Sequence, residues 1–290
     1  MKDQRIAIWL MIAQGVLFAT ETAAIHQIGA GASVMQLALI RSAGGVLLAV
    51  GLAWNVTGGV LRTRQLPLQL LRGGVTLLYL WVLIYSFAAM PFADATAISF
   101  TQAGYIAVFS KLILGETVDG ARWGAAVIAL LGALLIAKPA FAGWNSAYLV
   151  TLAGTSLNGL AFVLNRYLQR QDSQATTMFY SNVIPLLGNF SFIFFIGLPD
   201  SSILVWLPAI FLFGPLGMLA GIMAVRRAKA ATLGPYTLLQ LVIAVLGSAV
   251  IFHELPNIGS VVGTVLIIMS CIISSAPSII HGPVGWRSPS

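Results

Sequence analysis

Apolar stretches of roughly 18–22 residues, each long enough to cross a hydrocarbon layer of about 30 Å, recur along the whole chain between short polar connections. Ten can be placed: 6–25, 34–54, 71–90, 93–113, 121–138, 146–164, 176–196, 203–224, 232–252 and 258–276. The pattern predicts an all-α polytopic membrane protein with ten transmembrane helices. The first span is too long for a cleavable signal peptide and lacks a small-residue cleavage site, so it is expected to remain as a helix. Pro91, Pro139, Pro199 and Pro256 punctuate connections, whereas Pro185, Pro208, Pro215 and Pro235 fall inside or at the ends of spans, where they can bend a helix.

The polar positions at span ends repeat. Glu116 closes AVFSKLILGE and Glu254 closes VLGSAVIFHE, 138 residues later (254 − 116). At the same offset Gln102 meets Gln240, Ser110 meets Ser248, Ile113 meets Ile251 and Val127 meets Val265. A glycine pair four apart follows each glutamate: Gly120 and Gly124, then Gly259 and Gly263. The chain reads as a duplicated membrane half, 1–140 and 141–280, with residues 281–290 as a tail. Five spans is an odd number, so the second half must be inverted relative to the first. Inverted halves are the architecture of many secondary transporters, whose substrate lies between them.

Composition agrees with this reading. Hydrophobic residues make up 59% and charged residues 8% of 290, against about 25% charged in soluble domains. The net charge of +7 raises nucleic acid as a partner, but the cations sit in short loops beside spans, which is the signature of orientation. With the N-terminus inside, Lys2, Arg5, Arg62, Arg64, Arg72, Lys111, Arg122, Arg166, Arg170, Arg226, Arg227, Lys229 and Arg287 fall on or near the cytoplasmic side, and Lys138 outside. Both termini are therefore expected in the cytoplasm, in a bacterial-type inner membrane. The tail then becomes cytoplasmic, with Glu116 at the cytoplasmic face and Glu254 at the other. The sole cysteine, Cys271, excludes an intramolecular disulfide, and no His or Cys cluster has metal-ligand spacing; neither metal nor cofactor is expected.

Several stretches resemble a known family. LALIRSAGGVLLA around Arg41 looks like the second helix of EamA-type domains of the drug/metabolite transporter superfamily. LGETVDGARWGAAVIALLGALLIAKP, Leu114 to Pro139, looks like the closing helix pair, and HELPNIGSVVGTVLIIMS, His253 to Ser270, like its second copy. The second half departs from the first: His253 replaces a glycine before the glutamate, and span 176–196 lacks an arginine matching Arg41. Within the superfamily the chain most resembles the YddG-type exporters of amino acids and related metabolites. The resemblance implies alternating access through a central cavity and export of small metabolites, amino acids with aromatic or apolar side chains among them. Drugs, nucleobase-like compounds and cationic metabolites are alternative cargo on the same fold.

Candidate binding residues follow from polar groups at mid-membrane depth, which lack water unless they face a cavity or one another. Gln14, Gln102, Asn158 and Gln240 lie near the middle of spans 1, 4, 6 and 9, and a neutral amide can both donate to and accept from a zwitterion. The same amides would equally serve as interhelical glue. Trp81 lies mid-span and shares a helix face with Tyr85, while Tyr105 and Tyr236 lie about one turn from Gln102 and Gln240. An aromatic cavity with a few amides suits large or apolar side chains; lipid-facing or packing aromatics are the alternative. Tyr79 is expected on a different face from Trp81. Glu21 and Arg41 fall in the outer third of the membrane within reach of each other. They read as a structural ion pair, with a proton-coupling or gating glutamate, or an interfacial one, as alternatives. Glu116 and Glu254 are read as caps on the helices that follow, and Lys111 as snorkelling. Spans 5 and 10 are read as scaffold within each half or as a dimer contact, leaving the chain a monomer or weak homodimer.

An intramembrane enzyme would need a nucleophile, an acid pair or a metal set. The chain has no H-E-x-x-H motif, and His26, His253 and His281 sit near span ends. A channel would show rings of pore charges, which are missing. A small-molecule substrate and the lipid bilayer are the expected partners.

Overall fold

The computed structural model describes residues 2–28, 31–54, 59–89, 92–138, 146–190, 204–251 and 258–276. Glu254, His253, His281 and the C-terminal tail lie outside the described residues. Among the described residues every regular element is helical. Eight spans correspond to single helices: α1 Lys2–Ile28, α2 Val34–Leu52, α3 Leu66–Ala89, α6 Gly120–Ala137, α7 Ser146–Leu168, α8 Gln174–Phe190, α9 Leu207–Arg227 and α12 Ile258–Ser275. The other two are discontinuous. Span 4 is divided into α4, Phe92–Ser99, and α5, Gln102–Leu114; span 9 into α10, Ala230–Leu233, a 3₁₀ segment, Gly234–Leu238, and α11, Leu239–Ile251.

Helix starts follow local chemistry. Ser33 caps α2, accepting from the Gln36 amide while the Gln36 side chain accepts from the Ser33 amide. Asp119, not Glu116, caps α6: its carboxylate accepts from the Arg122 amide. Pro208 enters α9 in its first turn, where a missing N–H costs nothing, while Pro185 and Pro215 lie inside α8 and α9.

The packing carries the inverted repeat. α1 packs on α9 as α7 packs on α3; α5 packs on α7 as α11 packs on α1; α2 meets α8, and α6 meets α12. Each contact maps onto another, or onto itself, when the two five-span halves are exchanged. α6 and α12 therefore join across the halves rather than bracing each half from within. They cross at Gly132 and Gly263, where a Cβ on Gly132 would stand 2.7 Å from the Gly263 carbonyl oxygen. Backbone approach this close needs small residues on both helices. The largest apolar cluster joins Ala7, Met11, Ile106, Ala133, Val225, Leu233 and Ile267 from both halves.

One end of the bundle gathers the polar connections. The Gln4 amide donates to the Ser275 carbonyl, Asp172 accepts from Thr63 (2.5 Å), the Arg64 amide and Gln69 (2.7 Å), and Arg122 donates to Thr232. Arg72, Arg122 and Arg166, counted by sequence among the loop cations of this end, are buried between helices instead.

Candidate functional site

The discontinuities in spans 4 and 9 occupy matching places, each directly before its repeat-related glutamine. In span 4 the Phe100 and Thr101 amides reach back three residues, to the Ala97 and Ile98 carbonyls. In span 9 the whole 3₁₀ segment does so, with Pro235 removing one donor at its start. Non-helical backbone at membrane depth persists only when buried in protein or lining a cavity. Here it positions Gln102 at the start of α5 and Gln240 near the start of α11.

Both glutamines lie at interfaces between the halves. Asn158 of α7 donates to the Gln102 carbonyl oxygen at 2.8 Å, and Tyr79 of α3 hydrogen-bonds Asn158. Next to Asn158, Gly159 brings α7 so close to α5 that a Cβ would stand 2.7 Å from that of Tyr105. In the other half Gly15, next to Gln14, brings α1 equally close to α11: its Cβ would stand 2.9 Å from the Ile243 side chain and 3.4 Å from the Gln240 backbone nitrogen. Gln14, Gly15, Phe18 and Glu21 of α1 are thus in register with Asn158, Gly159, Phe162 and Asn165 of α7. On the partner helices Arg72 and Tyr79 of α3 are in register with Gly214 and Gly221 of α9.

The two sides of this pseudo-symmetric set are not in the same state. The Asn158–Gln102 bond is made. Gln14 instead packs on Gly221, 2.8 Å from where its Cβ would be, and its carbonyl oxygen is buried without a hydrogen-bond partner. A buried acceptor left unpaired costs on the order of 1–3 kcal/mol.

The aromatic candidates separate. Trp81 and Tyr85 do share a face, and the Trp81 indole N–H donates to Asn189 of α8 at 3.2 Å. That face of α3 is turned to α8, while Arg72, Tyr79, Val82 and Ser86 face α7. Tyr105 is half-buried and stacks on Phe109, 6.4 Å between centroids. Tyr236 is buried, with its hydroxyl against the Cys271 carbonyl and Ser275 of α12, which is a packing position.

Glu21 and Arg41 form an ion pair, Nε to Oε1 2.7 Å, with the Glu21 side chain 8% and the Arg41 side chain 34% exposed. Arg41 also lies over the Phe18 ring. Gly214 of α9 makes room: a Cβ there would stand 2.7 Å from Arg41 Nε. Gly214, Gly217 and Gly221 form one stripe on α9, facing Glu21, Phe18 and Gln14 in turn.

A second ion pair escaped sequence reasoning. Glu116 is 2.5 Å from Arg166 of α7, both nearly buried. Arg166 also donates to the Val225 carbonyl of α9, and Glu116 accepts from Ser110 and from the Ala231 amide at the start of α10. Glu116 thus ties α5, α7 and α10 together, with α9 held through Arg166, instead of capping α6. Arg166 lines a cavity of about 690 Å³ with Asp3, Arg226 and Arg227, at the end of the bundle where α1 begins and α7 and α9 end. Among the described residues no group of His, Cys, Asp or Glu could hold a metal ion.

Comparison with known proteins fits this geometry. The model of the EamA-like transporter family matches twice, over residues 5–138 and 145–276. The pseudopaline exporter CntI of Pseudomonas aeruginosa is 25% identical over 92% of this chain and 94% of its own. The riboflavin transporter of Vibrio cholerae is 27% identical over 91% and 90%. The S-adenosylmethionine uptake transporter of Rickettsia prowazekii is 24% identical over 72% and 71%. A protein known from a crystal structure shares the fold, with a TM-score of 0.79 at 19% identity, covering 92% of this chain and 96% of its own.

Proposed function

The chain belongs to the EamA-like transporter family and is a multi-pass membrane transporter, not an enzyme, and from that premise we propose that it exports small metabolites, amino acids with apolar or aromatic side chains among them, from the cytoplasm. Residues 1–140 and 141–280 act as the two moving halves, with the 281–290 tail and both termini cytoplasmic in a bacterial-type inner membrane. The end bearing Arg226, Arg227 and Lys229 faces inward, since the cations remaining in loops after the buried arginines are set aside still favour that side.

One observation carries the reading: across the boundary between the halves, the break in span 4 sets Gln102 against Asn158, and the matching break in span 9 sets the Gln240 backbone against Gly15, next to Gln14. Half-helix ends and amides at such a boundary suit a polar head group, while Tyr79, Trp81, Tyr85 and Tyr105 offer aromatic surface. Glu116–Arg166 and the Asp172 cluster close the cytoplasmic end in this state. Glu21–Arg41 is a structural pair within the first half. Export rather than uptake is favoured by similarity to the pseudopaline exporter over nearly the full chain. The uptake and riboflavin relatives keep larger or cationic metabolites as the second reading.

Reconstitution into vesicles loaded with labelled amino acids, nucleobases, riboflavin and S-adenosylmethionine tests the proposal. Protein-dependent efflux of apolar or aromatic amino acids supports it. Efflux confined to the other compounds would replace the substrate class.

A further inference from the structure

Arg72 is a buried cation whose hydrogen bonds run to neutral groups. It is 4% exposed, and its guanidinium donates only to neutral groups: Nε to Asn165 Oδ1 at 2.9 Å and an Nη to Thr76 Oγ1 at 2.9 Å. Among the described residues no carboxylate bonds to it. Asp172, one turn toward the helix start, is occupied by Thr63, the Arg64 amide and Gln69. The charged side chain that acts on Arg72 at longer range is another cation, Arg41. A charge buried without an opposite charge is costly, and an ionisable residue kept in a membrane span is expected to meet a partner in function.

The pseudo-symmetry shows what that partner replaces. Glu21 of α1 is in register with Asn165 of α7, and Gly214 of α9 with Arg72 of α3. At the outer position the chain supplies both charges: Arg41 reaches over Gly214 to the Glu21 carboxylate. At the inner position it supplies the guanidinium and puts an amide where the carboxylate stands in the other half. The inner position is one negative charge short, and it faces α7 on the same side of α3 as Tyr79, which hydrogen-bonds Asn158.

We propose that Arg72 is the residue that recognises a carboxylate on the transported substrate, which takes the place that Glu21 holds beside Arg41 in the other half. The planar guanidinium can receive a carboxylate through two parallel N–H donors, while Asn158, Gln102 and Tyr79, further toward the midplane, meet the rest of the head group. In the state described here Arg72 is sealed; it becomes reachable when the cytoplasmic end opens. This inference rests on the export reading only for the direction of travel.

Purified full-length protein in detergent, heated with increasing L-leucine or L-phenylalanine or with the methyl ester of each, tests it. For the wild type, half-maximal thermal protection is expected at a concentration at least about tenfold lower for the acids than for the esters. Asn165→Asp supplies the missing carboxylate from within, so it should fold at least as stably as wild type and lose the preference for acids. Arg72→Gln should lose it too, and Arg72→Lys should keep part of it. Equal protection by acids and esters, no protection by either acid, or an Asn165→Asp protein that still prefers acids would overturn the inference. Arg72-dependent binding of acids without efflux from vesicles would sink the export reading and leave the inference standing. Efflux of esters or cations alone would do the reverse.

Discussion

A single methyl group at Gly214 puts the packing of α9 against α1 and α2 to a signed test. In a helix interior Gly→Ala is ordinarily favourable by roughly 0.5–1 kcal/mol. Here the new Cβ would meet the Glu21 carboxylate and stand 2.6 Å from its Cδ and 2.7 Å from Arg41 Nε. Overpacking of this kind costs about 1–3 kcal/mol. Separating the pair also strands a carboxylate that is only 8% exposed, though the 34% exposure of Arg41 tempers that loss. The net expectation is destabilisation by about 2 kcal/mol, or a melting temperature lower by roughly 4–8 °C in a chain of this size. Thermal unfolding in detergent, followed by tryptophan fluorescence, reads the shift. In a Glu21→Ala, Arg41→Ala background the clash is gone, so the same Gly214→Ala change should raise stability by about 0.5–1 kcal/mol. A Gly214→Ala protein that is more stable than its parent in both backgrounds would refute the described packing.

Glu21→Gln is expected to retain substantial transport, with imposed pH gradients having little effect on wild-type exchange; abolished gradient-driven transport with binding intact would make Glu21 the coupling group. The joint Glu21→Ala, Arg41→Ala variant should be more stable than either single change, because one buried charge alone is costlier than none. Removing one partner of the buried Glu116–Arg166 pair, as Glu116→Gln or Arg166→Gln, should cost about 3–5 kcal/mol in thermal unfolding, and the double variant should recover part of it; additive losses would show that the two side chains act separately. Gln14→Ala, Gln102→Ala and Asn158→Ala should each lower efflux with membrane expression near wild type, whereas unimpaired efflux in most of them would make these amides interhelical glue.

Span positions and the inverted repeat were legible because lipid leaves the backbone no alternative to long helices, and because duplicated sequence keeps register. Span 9 also announced its break through Gly234 and Pro235, but Ser99, Phe100 and Thr101 carry no such punctuation, so the break in span 4 was silent. Tyr79 does lie on a different face from Trp81, but which face meets the amides was not legible. α3 packs on α7 along one stripe and on α8 along another, and the amides belong to the α7 side, where Tyr79 lies. Glu116 looked like a cap because helix-end chemistry is local, whereas its partner Arg166 stands fifty residues away and meets it only in the folded bundle. Arg72 was hidden among the orientation cations for a similar reason: its distance from the loop can be counted, but its burial against Asn165 depends on how α3 meets α7.

The central claim is that the two halves part at the cytoplasmic end during each cycle. Thr63 and Asp172 bridge that end with side chains 2.5 Å apart, so Thr63→Cys with Asp172→Cys, in a Cys271→Ser background, should form a disulfide under mild oxidation. Efflux from vesicles should stop when the bond forms and return on reduction, while the unoxidised variant transports. Undiminished efflux from fully cross-linked protein would contradict the account.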